Sequence, residues 1–186
     1  FTVQGEMGGF HRDNGNNFSV PGKGVVMGGS NCEVRYCEIA HTWGDGITIY
    51  GQNNRAHNNH VYDVDWSGTD CAAIGMSGSG HTVERNTLHD AARSILVHRR
   101  TSASLIRYND MSLAGRTKCD LGITYSYGTN GNGTVIAYNW VHDNVAGLYG
   151  GAGIYLDNYC SNHIVHHNVC LLYTSDAADD LLCVDL

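Results

Sequence analysis

His98, Asp120 and Asp157 are the side chains here best suited to move a proton, and Arg93, Arg99 and Arg100 bracket the first of them. Such a set has the parts for two chemistries. In one, a base removes a proton next to a carboxylate while arginine or a cation neutralises that carboxylate. In the other, Asp120 and Asp157 act as a carboxylate pair, acid with base or acid with nucleophile. Asp120 or Asp157 is also a candidate to hold Ca²⁺ through oxygen ligands. Ser126 and Tyr127 complete the set as polar and aromatic contacts for a ligand. A third reading stays open, in which these are solvated loop residues on a binding or structural scaffold.

The chain positions these groups by repetition. The pattern apolar-x-x-Asn-x-apolar returns at residues 56–61, 83–88, 106–111, 136–141 and 165–170, and residues 34–39 carry Cys37 at the asparagine position. A small residue followed by Val or Ile anchors a second pattern at Val25, Ile47, Ile74, Ile95, Ile123 and Ile154. The intervals between those anchors are 22, 27, 21, 28 and 31 residues, each one coil with loops of variable length. Short period-two runs between Gly/Asn turns, with no helical stretch, argue for strands. A coil cannot bury its apolar residues alone, so strands recurring in this way stack in parallel around one continuous core. Pro21 is the only proline, as uninterrupted strand ladders require.

Asn59, Asn86, Asn109, Asn139 and Asn168 fall at one position of successive coils. Stacked at the strand spacing of about 4.8 Å, their amides can bond to one another along the axis. Asparagine also tolerates the left-handed backbone of a sharp turn, so the column reads as structural rather than catalytic. The pairs His89-Asp90 and His142-Asp143 share a column with Tyr62-Asp63 and read as turn chemistry.

Alternation along the Ile-containing strands places Ile47/Ile49, Ile74/Met76, Ile95/Val97, Ile123/Tyr125 and Ile154/Leu156 inward. Tyr50, Ser77, His98, Ser126 and Asp157 then form an outward column, with His98 and Asp157 about 9–10 Å apart along the axis. The column Arg35, His57, Glu84 and Arg107 alternates in sign and reads as surface ion pairing worth little per pair. Trp43, Trp66 and Tyr127 are either ligand-stacking platforms or turn packing.

These residues resemble the right-handed parallel β-helix repeat family, the pectate-lyase-like superfamily with its asparagine ladder, over residues 24–169. The resemblance implies an all-β, right-handed parallel β-helix of about six coils, here a fragment of a longer domain. It also implies a secreted, extracellular or periplasmic protein acting on polysaccharide. A lyase on uronate-containing glycans stands a little ahead of a glycoside hydrolase, and a non-catalytic carbohydrate-binding or adhesin-like solenoid is the rival from another class. Fold alone does not choose among them.

Residues 1–23 read as the end of an earlier coil and a connecting loop, and 24–169 as the coils. Residues 170–186 break the repeat, and their first ten resemble the translation of a transposon-type sequencing adapter. They are expected to be non-native. The formal charge of −7 (11 Lys and Arg against 18 Asp and Glu) becomes −3 without the four Asp of that tail. So mild a charge argues against nucleic acid as a partner, and no run is apolar and long enough for a membrane helix. Outside the tail, Cys32, Cys37, Cys71, Cys119 and Cys160 show no metal-binding spacing and read as small fillers. A zinc site shared by the histidines of distant coils is not expected.

Overall fold

The computed structural model describes residues 22–146, 151–172 and 181–184. The expected connecting loop therefore lies almost wholly outside the described residues, as does most of the expected non-native tail. Every regular element described is a strand, and each pass of the chain lays one strand on each of three sheets. Sheet 1 stacks Val25–Met27, Ile47–Ile49, Ile74–Met76, Leu96–Val97, Gly122–Ser126 and Ala152–Leu156. Sheet 2 stacks Glu33–Arg35, Arg55–His57, Thr82–Glu84, Leu105–Arg107, Asn130–Ala137 and Ser161–His166. Sheet 3 stacks Glu38–Ala40, His60–Val64, Thr87–Ala91, Asp110–Ser112, Trp140–His142 and Val169–Leu172. Pairing between successive passes is parallel throughout. Only Leu181–Val184 runs antiparallel, against Val169–Leu172. In the last pass Cys170 pairs with Val141 and fills the core position beneath it.

The inward columns make one apolar core. Val34, Ala56, Val83, Ile106 and Ile136 come from sheet 2, and Ile39, Val61, Leu88, Met111 and Val141 from sheet 3. Ile47, Ile74, Leu96 and their neighbours close it from sheet 1. In the first five passes each of these strands buries one or two apolar side chains worth about 1.5–3 kcal/mol each, which no single pass could keep from water.

Sheet 2 turns sharply into sheet 3, and the asparagine ladder forms there. Asn59 donates from both its backbone N–H and its Nδ2 to Asn86 Oδ1, at 3.0 Å in each case. The same double bond repeats from Asn86 to Asn109, from Asn109 to Asn139 and from Asn139 to Asn168. The left-handed backbone, however, belongs to the residue before each ladder position. Tyr36, Asn58, Arg85, Tyr108, Tyr138 and His167 have φ between 52° and 56°. The asparagines serve through their amides alone, and the tight corner is taken by exposed residues with no polar duty to the core.

Asn109→Ala would remove the acceptor of the Asn86 N–H and of one Asn86 Nδ2 proton, and the Asn109 Nδ2 donor to the Val83 carbonyl, all in the interior. Each buried orphan costs about 1–3 kcal/mol. We expect a loss of about 3 kcal/mol or more in chemical denaturation, or failure to fold. A variant as stable as the parent would mean that the ladder is ornamental.

A second polar ladder occupies the corner between sheets 1 and 2. Cys32 N–H donates to Asn54 Oδ1 at 2.8 Å, and Asn54 N–H to His81 Nδ1 at 3.2 Å. His81 N–H donates to Ser104 Oγ at 2.9 Å, and Ser104 N–H to Thr134 Oγ1 at 3.3 Å. Four different side chains perform one task, so no repeated letter betrays them. The available signal was position: each lies two residues before the inward side chain Ala56, Val83, Ile106 or Ile136.

On the outer face of sheet 2, Arg35, His57, Glu84 and Arg107 do share a column. Glu84 is not a surface group, being 1% exposed beneath Arg55 and Arg107. Burial acts to raise its pKa, but hydrogen bonds from those arginines outweigh it and hold the carboxylate below its ordinary value. The expectation of weak surface pairs is corrected here to a capped buried carboxylate.

Candidate functional site

Register decides which side chains reach the outer face of sheet 1. The observed column is Val26, Thr48, Gly75, Val97, Tyr125 and Tyr155. Leu96 and Thr124, not Ile95 and Ile123, pair with Ile74 and Ile154. The expected alternation is therefore one residue out of step in these two coils, and a slip of one exchanges the faces. Adjacent apolar residues caused it: Ile95 and Leu96 are both fully buried, and the pattern offers no means of choosing between them.

Two expected site residues leave the surface as a result. His98 lies in the inward column with Met27, Ile49 and Met76, fully buried, its ring 5.6 Å from that of His163. Neither of its ring nitrogens has a hydrogen-bond partner among the described residues. Burial first, and His163 second, push its pKa down to about 3. A neutral ring inside the core cannot be the base. Ser126 is also fully buried and donates to the His98 carbonyl at 3.1 Å, so it is not a ligand contact.

The same register brings Tyr125 outward, into a cluster that the sequence reading did not assemble. The guanidinium carbons of Arg93 and Arg99 stand 4.7 and 5.1 Å from the centre of its ring. Asp70, from the loop after sheet 3, accepts from Arg93 and, at 2.6 Å, from Arg99. Arg93 also donates to the Asp120 carbonyl at 2.7 Å. The Tyr125 hydroxyl donates to Asp157 Oδ2 at 2.7 Å, and the Asn158 N–H to Asp157 Oδ1 at 2.6 Å. Those two bonds, the amide first, hold the Asp157 carboxyl below its ordinary value. Burial and the bond to Asp157 push the Tyr125 phenol up, against the pull of the arginines. The two shifts keep the carboxyl ionised and the phenol protonated at neutral pH.

Beside this cluster opens a cleft of about 270 Å³, lined by Asp45, Thr48, Gly75, Ser77, Val97, Arg99 and Arg100 among others. Gly75 is needed there, since a Cβ would lie 2.8 Å from Asp45 Oδ1. Arg99 belongs to both cluster and cleft, and its Nε has no partner among the described residues. Asp45 is fully buried, accepts from Thr48 Oγ1 at 2.7 Å and from the Ala72 N–H at 2.9 Å, and has its pKa raised by burial.

Of the expected residues, Arg93, Arg99 and Asp157 are brought together, and Arg100 reaches the cleft. Asp120 enters through its backbone carbonyl. Tyr127 is 45% exposed at the next turn, its ring edge-on to Tyr159. Asp45, Asp70 and Tyr125 were missed. Asp45 precedes its strand by two residues, so strand alternation was silent about it. Among the described residues no three His, Cys, Asp or Glu side chains converge on a cation position. Asp157 accepts one hydrogen bond on each oxygen, which leaves each a further lone pair.

Three parallel sheets wound from successive passes define a parallel β-solenoid. The family described as the right handed beta helix region matches residues 10–111, more than half of the chain, and the chain belongs to that family. Neither the curated proteins nor the solved structures gave a match.

Proposed function

We propose that this protein acts on polysaccharide, and that its reaction is the β-elimination of a uronate-containing glycan on the outer face of sheet 1. The observation that carries the reading is Arg99, shared between the cleft and the Arg93–Tyr125–Asp157 cluster. A uronate carboxylate set against the guanidiniums is neutralised, which makes the neighbouring C–H acidic and stabilises the charge that develops as the proton leaves. Asp157, held ionised, takes that proton, and the Tyr125 hydroxyl, held protonated, delivers one to the departing glycosidic oxygen. The C–O bond breaks as the double bond forms, so one proton moves on and one moves off. Export from the cell is part of the proposal, since a polymer of this kind lies outside it.

Glycoside hydrolysis is the second reading. It is favoured by Asp45, a buried carboxyl on the cleft wall whose pKa burial raises, the direction that suits a general acid. The two reactions leave different products. We expect incubation with polyuronates to raise both unsaturated-product absorbance and new reducing ends. Reducing ends without absorbance would make Asp45 the acid of a hydrolase. Silence on both, with retained glycan binding, would leave a binding module.

A further inference from the structure

The outer face of sheet 3 lies away from this cleft and carries a different constellation. His60 and His89 occupy adjacent strands, and their Nε2 atoms are 2.9 Å apart. His89 Nδ1 is 2.6 Å from Asp90 Oδ2. That carboxylate fixes the proton on Nδ1 and leaves the Nε2 lone pair facing His60, the orientation that metal-bound histidines take from their carboxylate partners. Tyr62 stacks on both rings, at 4.6 Å from His60 and 5.3 Å from His89, and its hydroxyl is anchored on Glu38 Oε1 at 2.9 Å. The two imidazoles are thus held before any ligand arrives.

We propose that His60 and His89 form a bidentate site for a divalent transition metal that prefers imidazole. At a metal–nitrogen distance of about 2.05 Å, two nitrogens 2.9 Å apart subtend about 90°. That is the angle between neighbouring ligands of a square-planar or octahedral ion, whereas a tetrahedral ion would need about 3.3 Å. The spacing selects Cu²⁺ or Ni²⁺ over Zn²⁺. No third His, Cys, Asp or Glu converges with the pair among the described residues, so water completes the sphere. Binding replaces the hydrogen bond between the rings: His60 moves its proton to Nδ1, and the metal takes the place between the two Nε2 atoms.

His166 and His167 provide an internal comparison. Their Nδ1 atoms approach to 2.8 Å, but the rings stand at 89° to each other and, among the described residues, no carboxylate fixes either tautomer.

The test is a Cu²⁺ titration of the untagged full chain, read by isothermal calorimetry and by electron paramagnetic resonance. The first equivalent is expected to show coupling to two imidazole nitrogens. His60→Ala and His89→Ala should each weaken it at least 10-fold, and Asp90→Asn by about 10-fold through the lost orientation of His89. His167→Ala should leave the first equivalent unchanged. His60 and His167 are exposed and His89 and Asp90 half-buried, and circular dichroism checks that each variant folds. Unchanged affinity in both His60→Ala and His89→Ala would overturn the proposal, as would loss of the first equivalent in His167→Ala.

Discussion

His98→Met should make the protein more stable at neutral pH, flatten its acid denaturation and leave its activity untouched. The ring is fully buried in an apolar column and neither nitrogen has a partner among the described residues, so methionine suits the column and removes two buried orphans. An orphan of this kind costs about 1–3 kcal/mol. The pH dependence follows from linkage. Folding lowers this base from its ordinary 6.5 to about 3, so between those values the unfolded chain binds a proton that the native state refuses. Stability from this group is complete above pH 6.5 and falls by about 1.4 kcal/mol per unit as the pH drops toward 3. His163, also lowered by burial, adds to the same slope. Urea melts at intervals from pH 7 to pH 4 measure it. The parent should lose stability steeply, and His98→Met less so by about that slope. Loss of activity in a folded His98→Met protein would restore the histidine as the base and refute the site described above.

Tyr125→Phe should abolish turnover with little change in fold. Removal of a positioned acid costs about 10²–10⁴ in rate. The phenyl ring keeps its packing against Arg93 and Arg99, and what is lost is the hydroxyl's bond to Asp157 and its polar contact with the two arginines. Arg99→Ala should lower kcat/KM on a polyuronate by about 10²–10³, the scale of one lost charge-stabilising donor. Lysine at the same place restores charge but not the planar group that bonds Asp70 while lying over the Tyr125 ring, so Arg99→Lys should recover only part. The pH profile is a further check. Asp157 is held below its ordinary value and Tyr125 above its own, so activity should be flat between about pH 5 and pH 9. A bell centred near 6.5 would point to an accessible histidine instead. Melting temperatures alongside the kinetics separate lost chemistry from lost structure.

The solenoid was legible because its most demanding positions are filled by one residue type. Asn59 to Asn168 must each present an amide that donates and accepts, and no other small side chain does both with that reach. The second ladder was illegible for the converse reason. A backbone N–H donates to any nearby oxygen or imidazole nitrogen, so Asn54, His81, Ser104 and Thr134 serve equally. The site was half legible. Arg93, Arg99 and Asp157 stand out by charge, but the faces of the two coils between them depended on a register that Ile95 and Leu96 left ambiguous. That single step placed a buried histidine on the surface and hid a tyrosine in the core. Asp70 could not be found by alternation at all, because a loop delivers it.

The asparagine ladder also gives the molecule an electrical direction. At every step the donor is on the earlier pass and the acceptor on the later one, from Cys37 N–H through to Asn168 Oδ1. The backbone N–H donors of the second ladder point the same way. Each side-chain amide of the stack therefore turns its oxygen toward Cys37 and its NH₂ toward Asn168. Five dipoles aligned head to tail add rather than cancel, as peptide dipoles do along an α-helix. Strand dipoles, by contrast, give a sheet little net moment. The Asn168 end is thus the electropositive pole and the Cys37 end the electronegative one. At the other pole the Asn168 Nδ2 donates to the carbonyls of Ile136 and His166, so the last amide of the series ends on oxygen.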